Sequence, residues 1–250
     1  MDKKVKTFGD GVIQAYLFHS TVSKGPAPLV WIVTGLDHYR TFATETATRL
    51  VSLGYSVLIH EMPGTGDCPI EGKEIEADVA LWSSVLDWVY GQPAKFDTKK
   101  VIAWGLSAGS YWIVKASRRE SKRLRSVVSQ GTFSHYAFKR DWLRAVDFLE
   151  YPVDLWRPLA RSFGYTDKNE FADHALNYSL VNQGIIDQPA APLLAVNGLD
   201  DTVFPIDDQI VLLTHGMGAA ARWFPKQGHM GEPPATEFLF NFFKAQASLP

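Results

Sequence analysis

The sequence predicts an α/β protein: a mostly parallel, doubly wound sheet that starts with an antiparallel hairpin and carries a helical insertion late in the chain. Three observations predict it. Six short runs, PLVWIVTG, GYSVLIHE, KKVIAWGL, LRSVVSQG, APLLAVNG and ARWFPKQG, are almost continuously apolar, and most end at glycine. Strands of a parallel sheet have this composition, because helices cover both faces. Segments with apolar residues three and four apart lie between the runs, the spacing of a helix with one buried stripe. From about Thr132 to Gln188, by contrast, no strand-like run appears.

Each element has a local reason. VKTFGDGVIQAYLFHS alternates about GDG, a turn between two antiparallel strands. After the first central strand, YRTFATETATRLVSLG reads as a helix closed by Gly54. The second central strand runs into EMPGTGDC, where Pro63, Gly64 and Gly66 form a turn. IEADVALWSSVLDWVYGQ is helical and stops before Pro93. PATEFLFNFFKAQA is an amphipathic helix that closes the chain against the sheet. The strand-free stretch is rich in aromatics, Phe133, Tyr136, Phe138, Trp142, Phe148, Tyr151, Trp156, Phe163, Tyr165 and Tyr178 among them. A structureless loop of that length is unusual, so short helices are expected. The division expected is a core of residues 1–131 and 189–250 with a helical cap at 132–188. The cap's aromatics suit either a flat ligand or the cap's own core.

Composition excludes several classes of function. With 46% hydrophobic residues in 250, a large core is available and disorder is not expected. The net charge of −2 and the lack of a basic face give nucleic acid no counterion-release site. SRRESKRLR, the one basic cluster, reads as a solvated helix end. No run is long enough to span a bilayer and no signal core follows the N-terminus, so a cytoplasmic protein without a membrane partner is expected. The single cysteine, Cys68, permits no internal disulfide and fits a reducing compartment. It lies in a turn-rich stretch with no base nearby in sequence and is not read as a nucleophile.

The chemistry centres on VIAWGLSAGSYW. Gly-x-Ser-x-Gly between a strand and a helix is a nucleophile elbow: a tight turn that lifts Ser107 above the strand end, beside a helix N-terminus. The backbone N–H of Ala108 then faces the place where an oxyanion forms. A hydroxyl needs a base to become a useful nucleophile. LLAVNGLDDTVFP and WFPKQGHMGEPP, two further strand ends, supply an acid and a base in the order Ser, Asp, His. Asp201 is preferred to Asp200 as the acid; Asp200 suits a turn making local backbone bonds. His229 is the base. Asp207 and Asp208 suit the first turn of a helix, where the dipole favours carboxylates. A second oxyanion donor is expected after the first central strand, where VTGLDHYR places the amide of Leu36 just past Gly35. Asp37 either braces that loop or caps the following helix. Candidate substrate contacts are His38, His135, Phe133 and Trp142. His19, His60, His174 and His215 carry no functional reading.

Taken together, GLD, EMPGTGD, GLSAG, VNGLDDTVFPIDD and GHMGEPPAT resemble the α/β-hydrolase superfamily. More narrowly, the chain is similar to the branch holding the fermentation–respiration switch protein, dihydropseudooxynicotine hydrolases and fungal hydrolases that shorten polyketides. The resemblance runs from Leu29 to the C-terminus and includes YPVDLWRPLARSFGYTDKNEF. It implies Ser107 as nucleophile, Asp201 as orienting acid, His229 as base, and the amides of Leu36 and Ala108 as oxyanion donors. Members of the branch often carry a long helical region before the core, which shapes a substrate chamber and dimer contacts; here 28 residues precede Leu29. Glu61 stands where an aspartate is commoner. The expectation is a serine hydrolase for a small organic substrate, cleaving either a C–C bond of a polyketide-like 1,3-dicarbonyl or a carboxylic ester or thioester. No metal or organic cofactor is expected, and a homodimer is compatible with the resemblance. A silent binding protein and a non-hydrolytic lyase or cyclase are the rival expectations.

Overall fold

Alternate residues of the run 29–33 enter opposite hydrophobic clusters: Leu29, Trp31 and Val33 one, Val30 and Ile32 the other. That is the two-residue period of a strand buried on both faces. A computed structural model describes residues 2–6, 12–151, 153–215 and 218–248 of the chain. In chain order its elements are β1 (Asp2–Lys6), β2 (Val12–Phe18), β3 (Ala27–Val33), α1 (Thr44–Ser52), β4 (Ser56–His60), α2 (Ala77–Tyr90), β5 (Phe96–Leu106), α3 (Ala108–Arg119), β6 (Ser126–Gln130), α4 (Arg140–Ala145), α5 (Trp156–Ser162), α6 (Lys168–His174), β7 (Leu193–Gly198), α7 (Ile206–Thr214), β8 (Ala219–Phe224) and α8 (Pro234–Ser248). Single 3₁₀ turns occur at Tyr136–Phe138, Ala175–Tyr178 and His229–Gly231.

The eight strands form one sheet in the order β1-β2-β4-β3-β5-β6-β7-β8. β1 and β2 pair antiparallel, β2 pairs antiparallel with β4, and all other pairs are parallel. The expected hairpin is therefore present as two strands, while its GDG turn lies outside the described residues. From β3 the chain steps to β4 on one side and then to β5 on the other. Such a reversal opens a crevice at the carboxyl ends of the two central strands. Register aligns those ends: Val33 lies beside Gly105, Leu106 beside Gln130, and Gln130 beside Val196.

α1 and α8 cover one face, where Trp104 packs on Phe243 with ring centroids 5.1 Å apart. α2 and α3 cover the other, with Trp31, Trp82 and Trp112 at its centre. Between β6 and β7 the described residues contain no strand. The aromatics of this stretch do not form a separate cluster: Phe133, Phe138, Phe163, Phe171 and Tyr178 join Tyr111 and Trp112 of α3 in the same apolar body. Tyr111 stacks on Phe133 at 4.9 Å, and Phe163 lies 4.5 Å from Tyr178. The basic cluster also differs from expectation. Arg118 is buried and donates to Ser117 Oγ at 2.7 Å, and burial lowers its pKa to about 10. Arg119 and Arg123 pair with Glu76 and Glu120.

Candidate active site

β5 ends at Leu106 and α3 begins at Ala108, so Ser107 alone makes the turn, at φ 50° and ψ −127°. A non-glycine residue here costs about 1–3 kcal/mol and persists only where its surroundings enforce it. The flanking glycines are part of that enforcement. A Cβ on Gly105 would lie 2.4 Å from Ser110 Cα, and one on Gly109 would lie 2.3 Å from Thr34 O. Hydrogen bonds supply the rest. Ser107 N–H donates to Gln130 O at 2.8 Å, while Ser110 Oγ donates to Gly105 O and Gln130 O.

Ser107 Oγ lies 2.7 Å from His229 Nε2, and His229 Nδ1 lies 2.9 Å from Asp201 Oδ2. The three residues are 122 and 28 positions apart in sequence and meet because β5, β7 and β8 end at one edge of the sheet. Asp201 is saturated: Asn197 Nδ2 donates to Oδ2 at 2.7 Å, and the amides of Val203 and Phe204 donate to Oδ1 at 2.8 and 3.0 Å. A carboxylate only accepts, so the neutral imidazole carries its proton on Nδ1 and offers Nε2 to the hydroxyl. Asp200, the alternative acid, is exposed, and its amide donates to Gln227 O.

The loop after β3 passes directly beside the serine. A Cβ on Gly35 would touch Ser107 Cβ at 3.0 Å, so Leu36 follows at the rim of the cleft it lines. Ala108 is the first residue of α3, a position whose N–H has no acceptor within its own helix. Both expected oxyanion amides are thus next to Ser107. Asp37 lines the cleft and lies 3.0 Å from His38 Nδ1; α1 starts only at Thr44, so Asp37 does not cap it.

Two cavities meet at Ser107. One, about 30 Å³, lies under α4 and α5 and is lined by Leu36, Trp142, Val146, Tyr151, Leu159 and Phe204 among others. That volume admits about two waters. The other, about 240 Å³, lies towards α1 and α8 and is lined by His38, Phe42, Trp104, Gln130, Met230 and Phe240 among others. Trp142 lines the small cavity, its Nε1 donating to Val203 O at 3.2 Å. His38 reaches the larger cavity, stacked on Phe42 at 3.6 Å. Phe133 and His135 do not line either one. Phe133 is sealed between Tyr111 and Phe204, and His135 Nδ1 is 2.7 Å from Ser179 Oγ. The aromatic richness of their segment serves packing on α3, which buries Phe133 and leaves His135 half-buried outside both cavities.

Several supporting residues carry no sequence motif. Gln130 takes Trp104 Nε1 on its Oε1 and donates to Met230 O and Glu232 Oε1, tying the His229 loop to β6. Asp208 is more than a first-turn carboxylate. It is fully buried and accepts from Ser134 Oγ and the amides of His135, Tyr136 and Ala137 at 2.5–2.9 Å. Burial raises its pKa, while those donors pull it down. Glu61 receives Arg40 through the amide and the guanidinium, each at 2.8 Å, and Arg40 also pairs with Asp67. Tyr151, absent from the expected contacts, lines the small cavity with a phenol that burial pushes up to about 12. Burial likewise raises the Cys68 thiol to about 12, far from a reactive thiolate.

No helix among the described residues is long and apolar enough to cross a membrane, and no group of three His, Cys, Asp or Glu among them could hold a metal ion.

Comparison with known proteins agrees with this architecture. The chain is similar to AbyA5, with 22% identity and a TM-score of 0.77 over 99% of this chain and 71% of that one. It is also similar to the 2,6-dihydroxy-pseudo-oxynicotine hydrolase, with 18% identity and a TM-score of 0.79 over 99% and 68%. Est1E from Butyrivibrio proteoclasticus, solved with ferulic acid bound, matches at 16% identity and a TM-score of 0.70 over 97% and 96%. At these identities the likeness establishes the α/β-hydrolase fold. No curated protein sequence matches. The model of one family, described as Esterase FrsA-like, matches residues 3–227, and the chain accordingly belongs to the FrsA-like esterase family, a family of α/β-hydrolase-fold hydrolases.

Proposed function

We propose that the protein is a serine carboxylesterase acting through Ser107, His229 and Asp201, with residues 132–188 as its cap. One observation carries the reading: the unbroken contact from Asp201 Oδ2 through the imidazole to Ser107 Oγ, at 2.9 and 2.7 Å, on a strained turn. Ser107 Oγ attacks an acyl carbon as His229 Nε2 takes the hydroxyl proton, and Asp201 stabilises the imidazolium. The tetrahedral oxygen receives the amides of Leu36 and Ala108; one such donor is worth about 3 kcal/mol in the transition state. His229 returns the proton to the departing alkoxide, and water then attacks the acyl-enzyme in the same cycle. The 240 Å³ cavity suits the bulkier part of the ester and the narrow cleft the smaller part.

An oxygen leaving group is favoured over carbon for a physical reason. Cleavage of a 1,3-dicarbonyl expels an enolate, which needs a donor or cation beside it. Among the described residues no Lys or Arg lines either cavity, and Trp142 Nε1 is already engaged, which leaves Tyr151 as a side-chain donor in the cleft. A protonated phenol there keeps C–C cleavage as the second reading.

The test is incubation with a serine-directed fluorophosphonate and peptide mapping. Adduct on Ser107, absent in Ser107→Ala, is expected; an unlabelled wild type would leave a binding protein as the better account. Turnover of p-nitrophenyl acetate beside an acylated 1,3-diketone then separates the bonds. Tyr151→Phe should leave ester turnover within a few-fold, and a collapse of diketone cleavage in that variant would favour the second reading.

A further inference from the structure

One carboxylate outside the triad reaches the site from the helical segment. Glu150 lies between α4 and α5 on an exposed stretch, next to Phe148 and Leu149. Its Oε1 accepts the main-chain N–H of His229 at 2.6 Å. Its Oε2 accepts the N–H and the hydroxyl of Thr202, both at 3.4 Å. A single side chain thus joins the base itself to the residue after the acid. The fit is close, since a Cβ on Gly228 would come within 2.3 Å of Glu150 Oε1.

Other ties on these loops come from the sheet half of the molecule and stop short of that amide. Leu199 N–H donates to Phe224 O and Asp200 N–H to Gln227 O, each at 3.0 Å, and Gln130 holds Met230 O. The imidazole position depends on the backbone at 228 and 229, so the group that holds the His229 amide also sets the distance from Nε2 to the serine hydroxyl. Proton transfer falls steeply when such a distance is lost.

We propose that Glu150 is a positioning residue for His229, a latch through which seating of the α4–α5 stretch completes the alignment of base and nucleophile. The proposal rests on the serine-hydrolase reading above. Displacing the carboxylate leaves Ser107 and the donors to Asp201 from Asn197, Val203 and Phe204 in place but frees the His229 amide, so the His229 loop drifts.

The experiment measures the second-order rate of fluorophosphonate labelling for the wild type, Glu150→Ala, Glu150→Gln, Gly228→Ala and the Ala/Ala double variant, each with a thermal melt. Glu150→Ala should slow labelling roughly ten- to hundredfold. Glu150→Gln keeps a carbonyl acceptor and should recover most of the rate. A methyl at 228 pushes the carboxylate aside, so Gly228→Ala should be slowed similarly, and the double variant should be no slower than Glu150→Ala. With p-nitrophenyl acetate the loss should fall on kcat and leave KM unchanged. Labelling of Glu150→Ala at the wild-type rate overturns the proposal. So does a Gln variant as slow as the Ala variant, a double variant slowed by the product of the singles, or a rate loss that comes with a raised KM and a lowered Tm. A wild type that takes no label fails the underlying reading instead, and is distinguishable on that ground.

Discussion

The sheet edge and the helical segment solve the same problem, placing polar side chains inside an apolar body, in different ways. At the sheet edge the backbone does the placing. Strand register puts Val33, Leu106, Gln130, Val196 and Arg222 near one level, and the loops after β3, β5, β7 and β8 deliver Leu36, Ser107, Asp201 and His229. In the helical segment, side chains do it. Asp208 of α7 grips the amides of 135–137, and Glu150 grips the amide of 229. Chemistry that must hold to tenths of an ångström sits on the strand ends. The part that covers it is tied down by the carboxylates of Asp208 and Glu150.

The largest expected effect tests the sheet edge. His229→Ala should lower kcat for p-nitrophenyl acetate by about 10⁵–10⁶-fold. Asp201→Asn should lose about 10⁴-fold, because an amide can donate to Nδ1 and impose the wrong tautomer. Asp200→Asn should stay within a few-fold; a large loss there would move the acid one residue along and break the register argument. Steady-state kinetics on the three variants decides it.

Next comes a test of the helical half. Asp208→Ala strips three amides and a hydroxyl of a buried acceptor, and should destabilise the protein by about 3 kcal/mol. Denaturant unfolding measures it, with Ser107→Ala as the control that should lose activity without losing stability. A small effect would mean that aromatic packing on α3, rather than the carboxylate, seats the segment.

The smallest effect sharpens the contrast in how the two halves bury titratable groups. His60, at the end of β4, is fully buried; Trp31 Nε1 donates to its Nε2 at 2.8 Å, and its Nδ1 faces Glu61 O at 2.7 Å. Burial lowers its pKa to about 4. Below the ordinary value of about 6.5, the unfolded chain binds a proton that the folded one refuses, so stability should fall as pH drops from about 6.5 to about 4, by on the order of 2–3 kcal/mol. The slope of unfolding free energy against pH should flatten in His60→Gln. An unchanged slope would assign acid sensitivity to other groups.

Much of this was legible beforehand because it is local. The elbow glycines around Ser107 and the apolar strand runs follow from backbone sterics and burial over a few residues, while the Ser, Asp, His order is read from the chain order of three strand-end motifs. Where reading failed, the cause was distance. Phe133 and His135 read as substrate contacts from their place after β6, yet Phe133 is buried against Tyr111, and Asp208 and Ser179 hold the half-buried His135 away from both cavities. Asp208 reads as a first-turn helix carboxylate, which it is, but its further role is hidden because its partners lie more than seventy residues away. Glu150 carried no signal at all, since nothing near it in sequence says that it meets residue 229.

The sequence by itself determined the strands, the helices around them and the strained turn that sets Ser107 at the end of β5, because each depends on steric and hydrophobic preferences that act over one element. Only the tertiary structure decided which carboxylate meets which amide and which aromatic faces a cavity. Those pairings join residues from different elements, and their energies depend on distances that exist only once the sheet has been assembled.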